Sequence, residues 1–408
     1  MLKNIKANIT LLLAIFISFT LAMVLPILVV DAAEDGEYRY DDLLNYRVTN
    51  NEAEIISVNS TIGGELILPS TINGCKVTSI SGYAFWGSSF ESITLPDTII
   101  SIGDNAFEGA DSKRIILPDS VTSIGNKIFS TCLYLEEVRL SENCNYVSQQ
   151  AFDGCFALKN IKIPDCVTRI EANAFAYCKS LEELNLPANL EYIGDYAFVG
   201  CNKLTEVEIP QSVLNIGSFA FAYNDALKLA NINSPLANVG EYCFCYNPAL
   251  ETIRVNSKTI GKNAFYNCSS LKNIYISKNV KAIGVAVLYG SPVENIYYSG
   301  TKKQWDEIVI ETGNAELENK DDIIFVSTNT MLESGKYIIK TEGDITDCLL
   351  LFACFNDNCM EYVRVINCTS SNEYVVSMPE NIVYDDIKIY VWDKQLKPIF
   401  EGESAPLS

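Results

Sequence analysis

From about residue 82 to 297 the hydrophobic positions recur in one pattern. The segments "LKNIKIPDCVTRIEANAFAYC", "LEELNLPANLEYIGDYAFVGC", "LTEVEIPQSVLNIGSFAFAYN" and "LKNIYISKNVKAIGVAVLYGS" share L-x-x-I-x-I/L-P-x-x-V-x-x-I-G-x-x-A-F-x-x-C. Phenylalanine is the firmest marker, at Phe85, Phe107, Phe129, Phe152, Phe175, Phe198, Phe221, Phe244 and Phe265, with Val287 read as a degraded tenth copy. Successive steps are 22, 22, 23, 23, 23, 23, 23, 21 and 22 residues. A fixed period of this length predicts an array of stacked coils, because one coil cannot cover its own apolar side and gains stability only from its neighbours.

Within a coil the spacing changes from three to two. Leu181 and Leu184 are three apart, whereas Leu184 and Leu186 alternate, which predicts a turn entering a short strand with inward residues two apart. Pro187 ends the strand because it has no N–H for the ladder. Leu190 and Ile193 point back inward, and Gly194 makes the next corner. Ser81, Ser148 and Glu171 stand in that corner column, so it does not require a positive φ. Ala197 and Phe198 close the coil, the small residue making room for the large one.

The flanks read differently. Lys3 and Lys6 precede the apolar run "ITLLLAIFISFTLAMVLPILVV", with Val30, Asp31 and Ala32 before Ala33, the layout of an export signal over 1–32, or of a membrane anchor if it stays uncleaved. After about residue 330 the period stops. "KYIIKT", "CLLLFACF", "MEYVRVINC", "EYVVSMP" and "DIKIYVWD" are short β-rich runs between turn formers, which predicts an all-β sandwich over 330–408.

Composition then removes options. The 408 residues carry 30 basic and 51 acidic side chains, a net charge of -21, which repels polyanions and excludes nucleic acid as a partner. There is no histidine, so triads and metal sites built on imidazole are absent. No C-x-x-C pair occurs, and neither a metal nor a cofactor is expected.

The "LPxxVxxIGxxAFxxC" signature resembles the BspA-like, or Treponema pallidum type, leucine-rich repeat family of exported bacterial and protist proteins. The resemblance covers about residues 82–297. Residues 37–81 look like the amino-terminal cap of such arrays, with a β-hairpin and a partial repeat, and 298–328 like their closing segment. It implies a leucine-rich repeat solenoid, a β-rich right-handed coil stack with short strands on its concave face, followed by the small sandwich, which resembles an immunoglobulin-like module. It also implies a secreted or cell-surface binding or adhesion role without enzymatic activity, towards an extracellular protein or glycan ligand. Membrane contact is expected only through the N-terminal segment if uncleaved. The alternatives are an exported or wall-associated enzyme using the repeats for targeting, or a structural envelope component.

Five of the fourteen cysteines, Cys132, Cys155, Cys178, Cys201 and Cys268, fall three residues after the marker phenylalanine, where other copies have Ser88, Ala110, Asn224 and Asn247. Such a column predicts buried thiols. Cys144 with Cys166, and Cys348, Cys354, Cys359 and Cys368 in the tail, are the better disulfide candidates of an exported chain. Outward strand positions supply the binding candidates: Arg139, Lys162, Asn185, Glu208, Arg254 and Tyr275 in one column, Glu183 and Glu206 in its neighbour. A further column, Glu91, Lys113, Glu136, Lys159, Glu182, alternates in sign and reads as support for stacking register. Tyr177, Tyr223, Tyr246 and Tyr266, set among glycines near the marker, are candidate contact aromatics.

Overall fold

The computed structural model describes residues 36–40, 43–59 and 63–319, together with the strands, though not every side chain, between 323 and 401. The predicted export signal lies outside the described residues, and among those described no helix is long and apolar enough to cross a membrane.

The array is a stack of coils joined by two parallel ladders. The first ladder uses the strands expected from the alternating leucines: Gly64–Ile67, Phe90–Thr94, Arg114–Ile116 and Glu137–Arg139, then Glu206–Ile209, Leu229–Ile232, Thr252–Val255, Asn273–Ile276, Asn295–Tyr298 and Ile323–Phe325. It is interrupted in between, where a single bridge, Arg139 to Lys162, survives.

The second ladder was not anticipated as a sheet. It is built from pairs such as Ser101–Ile102, Arg169–Ile170, Tyr192–Ile193 and Thr259–Ile260, with one residue out and one isoleucine in. This ladder also splits, between Ser123–Ile124 and Tyr146–Val147. Elsewhere the Ile carbonyl accepts a backbone N–H from the next coil, as Ile102 does from Gly125 at 2.8 Å. The Tyr146 hydroxyl takes that place, donating to the Ile124 carbonyl at 2.8 Å.

Between the ladders each coil makes a double turn that buries the marker ring. The rings stack along the array, Phe152 on Phe175 at 5.1 Å and Phe175 on Phe198 at 5.2 Å, nearly parallel. Where the coil is two residues short, Phe244 and Phe265 separate to 6.1 Å and tilt by 37°. Backbone bonds tie the turns together: the Phe175 N–H donates to the Ala197 carbonyl at 2.8 Å, and the Phe265 N–H to Val287 at 3.0 Å. That last bond corrects the tenth copy. Val287 stands where other coils have alanine, so Leu288, 1% exposed, occupies the phenylalanine place and the final step is 23 residues. Ser291 confirms it, because its hydroxyl donates to the Phe265 carbonyl as the column cysteines do in their coils.

Those cysteines are buried thiols, as expected. The sulfurs of Cys132, Cys155, Cys178, Cys201 and Cys268 lie 3.0–3.3 Å from the carbonyl of the marker phenylalanine one coil earlier and donate to it. A backbone acceptor inside the core is satisfied that way, which a methyl group would not do. The expectation of a Cys144–Cys166 disulfide is corrected: both are free, and the Cys166 thiol donates to the Cys144 carbonyl at 3.1 Å. Among the tail cysteines Cys354 is buried; the side chains of Cys348, Cys359 and Cys368 lie outside the described residues. The corner glycines serve close approach rather than a special φ. A Cβ on Gly217 would lie 2.4 Å from the Asp195 nitrogen of the coil before.

Both ends close the stack. At the start, Leu44–Thr49 and Glu52–Val58 form a hairpin through Asn50 and Asn51, both at positive φ, the two-residue turn that matches strand twist. At the other end Thr301 caps a short helix, α1 (Lys302–Asp306), whose Trp305 is 1% exposed and covers the last coil edge-on to Tyr298. Beyond it lie two antiparallel sheets, Ser327–Glu333, Lys336–Glu342 and Glu373–Ser377 in one, Cys359–Asn367, Cys348–Asn356, Asp386–Asp393 and Pro398–Glu401 in the other. Leu350, Phe352, Ala353 and Cys354 are buried on the second, and Tyr374 and Val376 on the first.

Candidate functional site

Most of the expected outward column is occupied by its own neighbours. Both Asp119 oxygens accept from the Arg139 guanidinium, at 2.7 and 2.6 Å, and this pairing, then the Glu142 N–H, holds the Asp119 carboxyl below its usual range. Lys162 donates to Glu142 at 2.8 Å, which holds its amine above its usual range. Glu208 accepts from Asn231 and from Asn233, Asn231 in turn accepts from Arg254 at 3.2 Å, and the Arg254 guanidinium lies 5.0 Å over Tyr275. Tyr275 is corrected as a contact candidate: it is 5% exposed, held between Arg254 and Tyr297, whose ring stacks on it at 4.5 Å. Glu183, Asn185 and Glu206 are exposed and make no side-chain hydrogen bond within the described residues. They lie at the gap in the first ladder and are not brought together with Arg139 or Arg254. In the charge-alternating column Glu91–Lys113 pairs at 3.1 Å and Lys272–Glu294 at 3.9 Å, both exposed.

The double-turn face carries a larger and less expected feature. Each double turn has two residues at positive φ, two before and two after the marker, and the first column includes Asn105, Asn173 and Asn263, the second Gly87, Gly109, Gly154 and Gly200. Those types adopt the left-handed region at little cost. In the middle and later coils aromatic residues take over: Tyr196, Phe219 and Tyr242 before the marker, Tyr177, Tyr223 and Tyr246 after it, all at φ between 54° and 59°. Bulky side chains there are outliers costing of order 1–3 kcal/mol each.

The rings form two ladders. Tyr196, Phe219 and Tyr242 stack at 4.9 Å, and Tyr223 on Tyr246 at 4.8 Å. Between the ladders runs a buried strip of small residues, Ala176, Val199, Ala222 and Cys245, against which Phe219, Tyr242 and Tyr266 pack. Tyr266 closes the strip, edge-on to both Tyr242 and Tyr246, and a hydrogen bond with Tyr246 raises its phenol pKa. Burial does the same for Tyr223. Tyr177 is still 50% exposed and Tyr223 46%. Parallel stacking covers the ring faces inside each ladder, whereas Tyr177 has no ring against it among the described residues and Tyr223 faces Gly200 on its other side.

Of these, Tyr177, Tyr223, Tyr246 and Tyr266 were visible as aromatics near the marker. Tyr196, Phe219 and Tyr242 were missed because the four coils before them carry polar residues in that column, Asn105, Lys127, Gln150 and Asn173, which hides its link to Tyr83 in the first coil. Asparagine in that column was the available signal, since it marks a left-handed position where a tyrosine needs a reason. Among the described residues no three His, Cys, Asp or Glu side chains gather in a way that would hold a metal ion.

The stacked coils, paired parallel ladders and marker-ring column define a leucine-rich repeat solenoid. Residues 78–205 and 193–311, more than half of the chain, match the family described as BspA type leucine rich repeat region, in 6 copies, and the chain belongs to that family. No curated protein matches it. Among solved structures it is similar to a leucine-rich repeat protein from Bacteroides ovatus, 22% identical, covering 71% of this chain and 100% of that one, with a TM-score of 0.48. It is also similar to a leucine rich cell surface protein from Faecalibacterium prausnitzii, 20% identical over 68% of this chain and 98% of that one, TM-score 0.37. The T. pallidum leucine rich repeat protein is 21% identical over 62% of this chain and 88% of that one, TM-score 0.36.

Proposed function

We propose that the chain is an exported, non-enzymatic binding protein, an adhesin or interaction scaffold at the cell surface, whose contact face towards an extracellular protein is the tyrosine double ladder. The observation that carries this reading is the set of exposed aromatics held at positive φ, where the array's own glycines and asparagines would fold at less cost. Tyrosine is enriched at the energetic centres of protein interfaces, offering large contact area with little side-chain entropy to lose. Stacking inside the ladders leaves mainly edges and phenols exposed, which favours a partner that packs against them. From the Tyr177 coil to the Tyr289 coil the strip runs about 24 Å, at about 4.8 Å per coil. That length is close to the span of the ~800 Å² one partner contributes to a standard interface. The acidic charge directs the choice towards neutral or basic surfaces. The C-terminal sheets, three strands and four, are proposed as an immunoglobulin-like module; their fourth strand pairs with the third rather than following the ABED and CFG division.

The test replaces Tyr177, Tyr223 and Tyr246 together by glycine in the full chain. Glycine already stands in this column at Gly87, Gly109, Gly154 and Gly200, so the fold is expected to hold and its melting temperature to stay or rise. Binding to a panel of purified matrix proteins, measured by surface plasmon resonance, is expected to fall by at least about tenfold relative to the parent. Retained binding, or a variant that unfolds because the ladder is merely structural, overturns the assignment.

A further inference from the structure

Stacking covers most ring faces of the tyrosine ladders, but one stays open where the ladder after the marker is broken. Tyr223 stacks on Tyr246 at 4.8 Å, and on its other side the column holds Gly200 instead of a ring. No other ring stacks on Tyr223 among the described residues, and it is 46% exposed. Gly200 sits at φ 69°, and no side chain can stand there unless Tyr177 moves. A Cβ on Gly200 would lie 2.7 Å from Cδ1 and 3.1 Å from Cε1 of Tyr177, whose ring edge reaches over it from the coil before. The result is a slot floored by the Gly200 backbone, with the open face of Tyr223 as one wall and the edge of Tyr177 as the other.

Elsewhere the chain covers such half-stacked rings with a cation. Tyr275 carries Tyr297 on one face at 4.5 Å and the Arg254 guanidinium 5.0 Å over its ring, and Arg169 lies 4.2 Å over Tyr192. Tyr223 has the first of these contacts and not the second. The lysines beside it in sequence are engaged: Lys179, two residues after Tyr177, lies 4.4 Å over Phe156, and Lys203, three after Gly200, pairs with Glu182 at 3.2 Å. A carboxylate stands nearby. Two residues past Gly200 and Tyr223, in the same two coils, the Asn202 amide donates to Oδ2 of Asp225, and Oδ1 of this exposed acid has no partner among the described residues.

We infer that the protein partner of the tyrosine face inserts an arginine side chain into this slot, its guanidinium lying on the open face of Tyr223 and donating to Asp225. The inference rests on the tyrosine double ladder being the contact face, and adds the chemistry of the group that this face recognises. A guanidinium is planar, so it can cover a ring while its N–H groups donate to a carboxylate in the same plane. A phenyl ring would make only the first contact, and an ammonium covers a ring poorly. The net charge of -21 draws a basic segment towards the face.

The test titrates the full chain with N-acetyl-arginine methylamide and follows its δ-methylene protons by NMR, with the citrulline and lysine analogues as controls. A saturable upfield shift, the mark of a group lying on a ring face, is expected with arginine. Citrulline, which has the shape without the charge, is expected to show none, and lysine a weaker one. Gly200→Tyr keeps every ladder tyrosine and fills the slot with a residue this column already holds at similar φ in Tyr177, Tyr223 and Tyr246, the Tyr177 ring swinging aside. Tyr223→Gly removes the wall instead. Each is expected to abolish the shift, and Asp225→Asn to weaken arginine binding by about tenfold. On the matrix-protein panel Gly200→Tyr is expected to weaken binding by about tenfold. If it binds as the parent does while the tyrosine-to-glycine variant does not, the contact face stands and the arginine inference falls. Absence of the arginine shift, an equal shift with citrulline or lysine, or a shift that survives either variant also overturns it.

Discussion

Raising the pH should dismantle this protein through its cysteine column. Burial pushes Cys132, Cys201 and Cys268 up to about 12 in the folded chain, against about 8.5 for an unfolded thiol. A folded pKa above the unfolded one means that the fold favours the neutral thiol. The stability this contributes is complete below about pH 8.5 and is lost as the pH climbs towards 12, because only the unfolded chain gains by ionising. Each such thiol removes about 1.4 kcal/mol per pH unit in that window. Three together remove about 4 kcal/mol per unit, so two units consume most of the 5–15 kcal/mol typical of a folded domain. Cys155 and Cys178 are raised as well, first by burial and then by the charge of neighbouring thiols, and steepen the fall. The assay is urea unfolding followed by circular dichroism from pH 8 to 11, on the parent and on a variant with Cys132, Cys201 and Cys268 replaced by serine. Serine fits this column, where Ser291 donates to the Phe265 carbonyl at 2.6 Å, and its hydroxyl does not titrate in this range. Tyrosine and lysine titrations are common to both proteins and cancel. Above pH 9 the parent is expected to lose about 4 kcal/mol more per pH unit than the variant, in which the buried Cys155, Cys178, Cys243 and Cys245 still titrate; parallel slopes would refute the reasoning.

Two further outcomes follow from the packing. Phe175→Ala is expected to cost about 3–5 kcal/mol, because its ring fills the core between Phe152 and Phe198, whereas Phe175→Leu should cost clearly less, as Leu288 already fills that place; thermal unfolding distinguishes them. Cys166, half-buried while the other cysteines with described side chains are buried, should react before any of these when the native chain is treated with a maleimide, with Cys132, Cys178 and Cys201 modified only on unfolding, as read by peptide mass spectrometry.

Much of this architecture is legible in the sequence because a solenoid repeats its physics. The marker column, the thiol column and the first ladder's register each recur at a step of 21–23 residues, so one coil checks the next. Legibility fails where the deciding contact spans coils. Val287 and Leu288 both suit an apolar slot, and the bonds from Phe265 to Val287 and from Ser291 to Phe265 show which one replaces the ring. Strands of two residues, such as Tyr192–Ile193, are too short to show alternation. Tyr275 is outward by register yet buried, because Arg254 lies over one face of its ring and Tyr297 stacks on the other. Arg139 and Lys162 likewise lost their freedom to Asp119 and Glu142, acids of the preceding coil that no local pattern marks.

The central claim, that the double-turn face rather than the first ladder meets a protein partner, is tested most directly by hydroxyl-radical footprinting of the full chain with and without a matrix protein it binds. Protection is expected at Tyr177, Tyr196, Tyr223 and Tyr246, with peptides carrying Glu183, Asn185 and Glu206 unchanged. Protection confined to those first-ladder peptides, with the tyrosines as reactive as in the free chain, would contradict it.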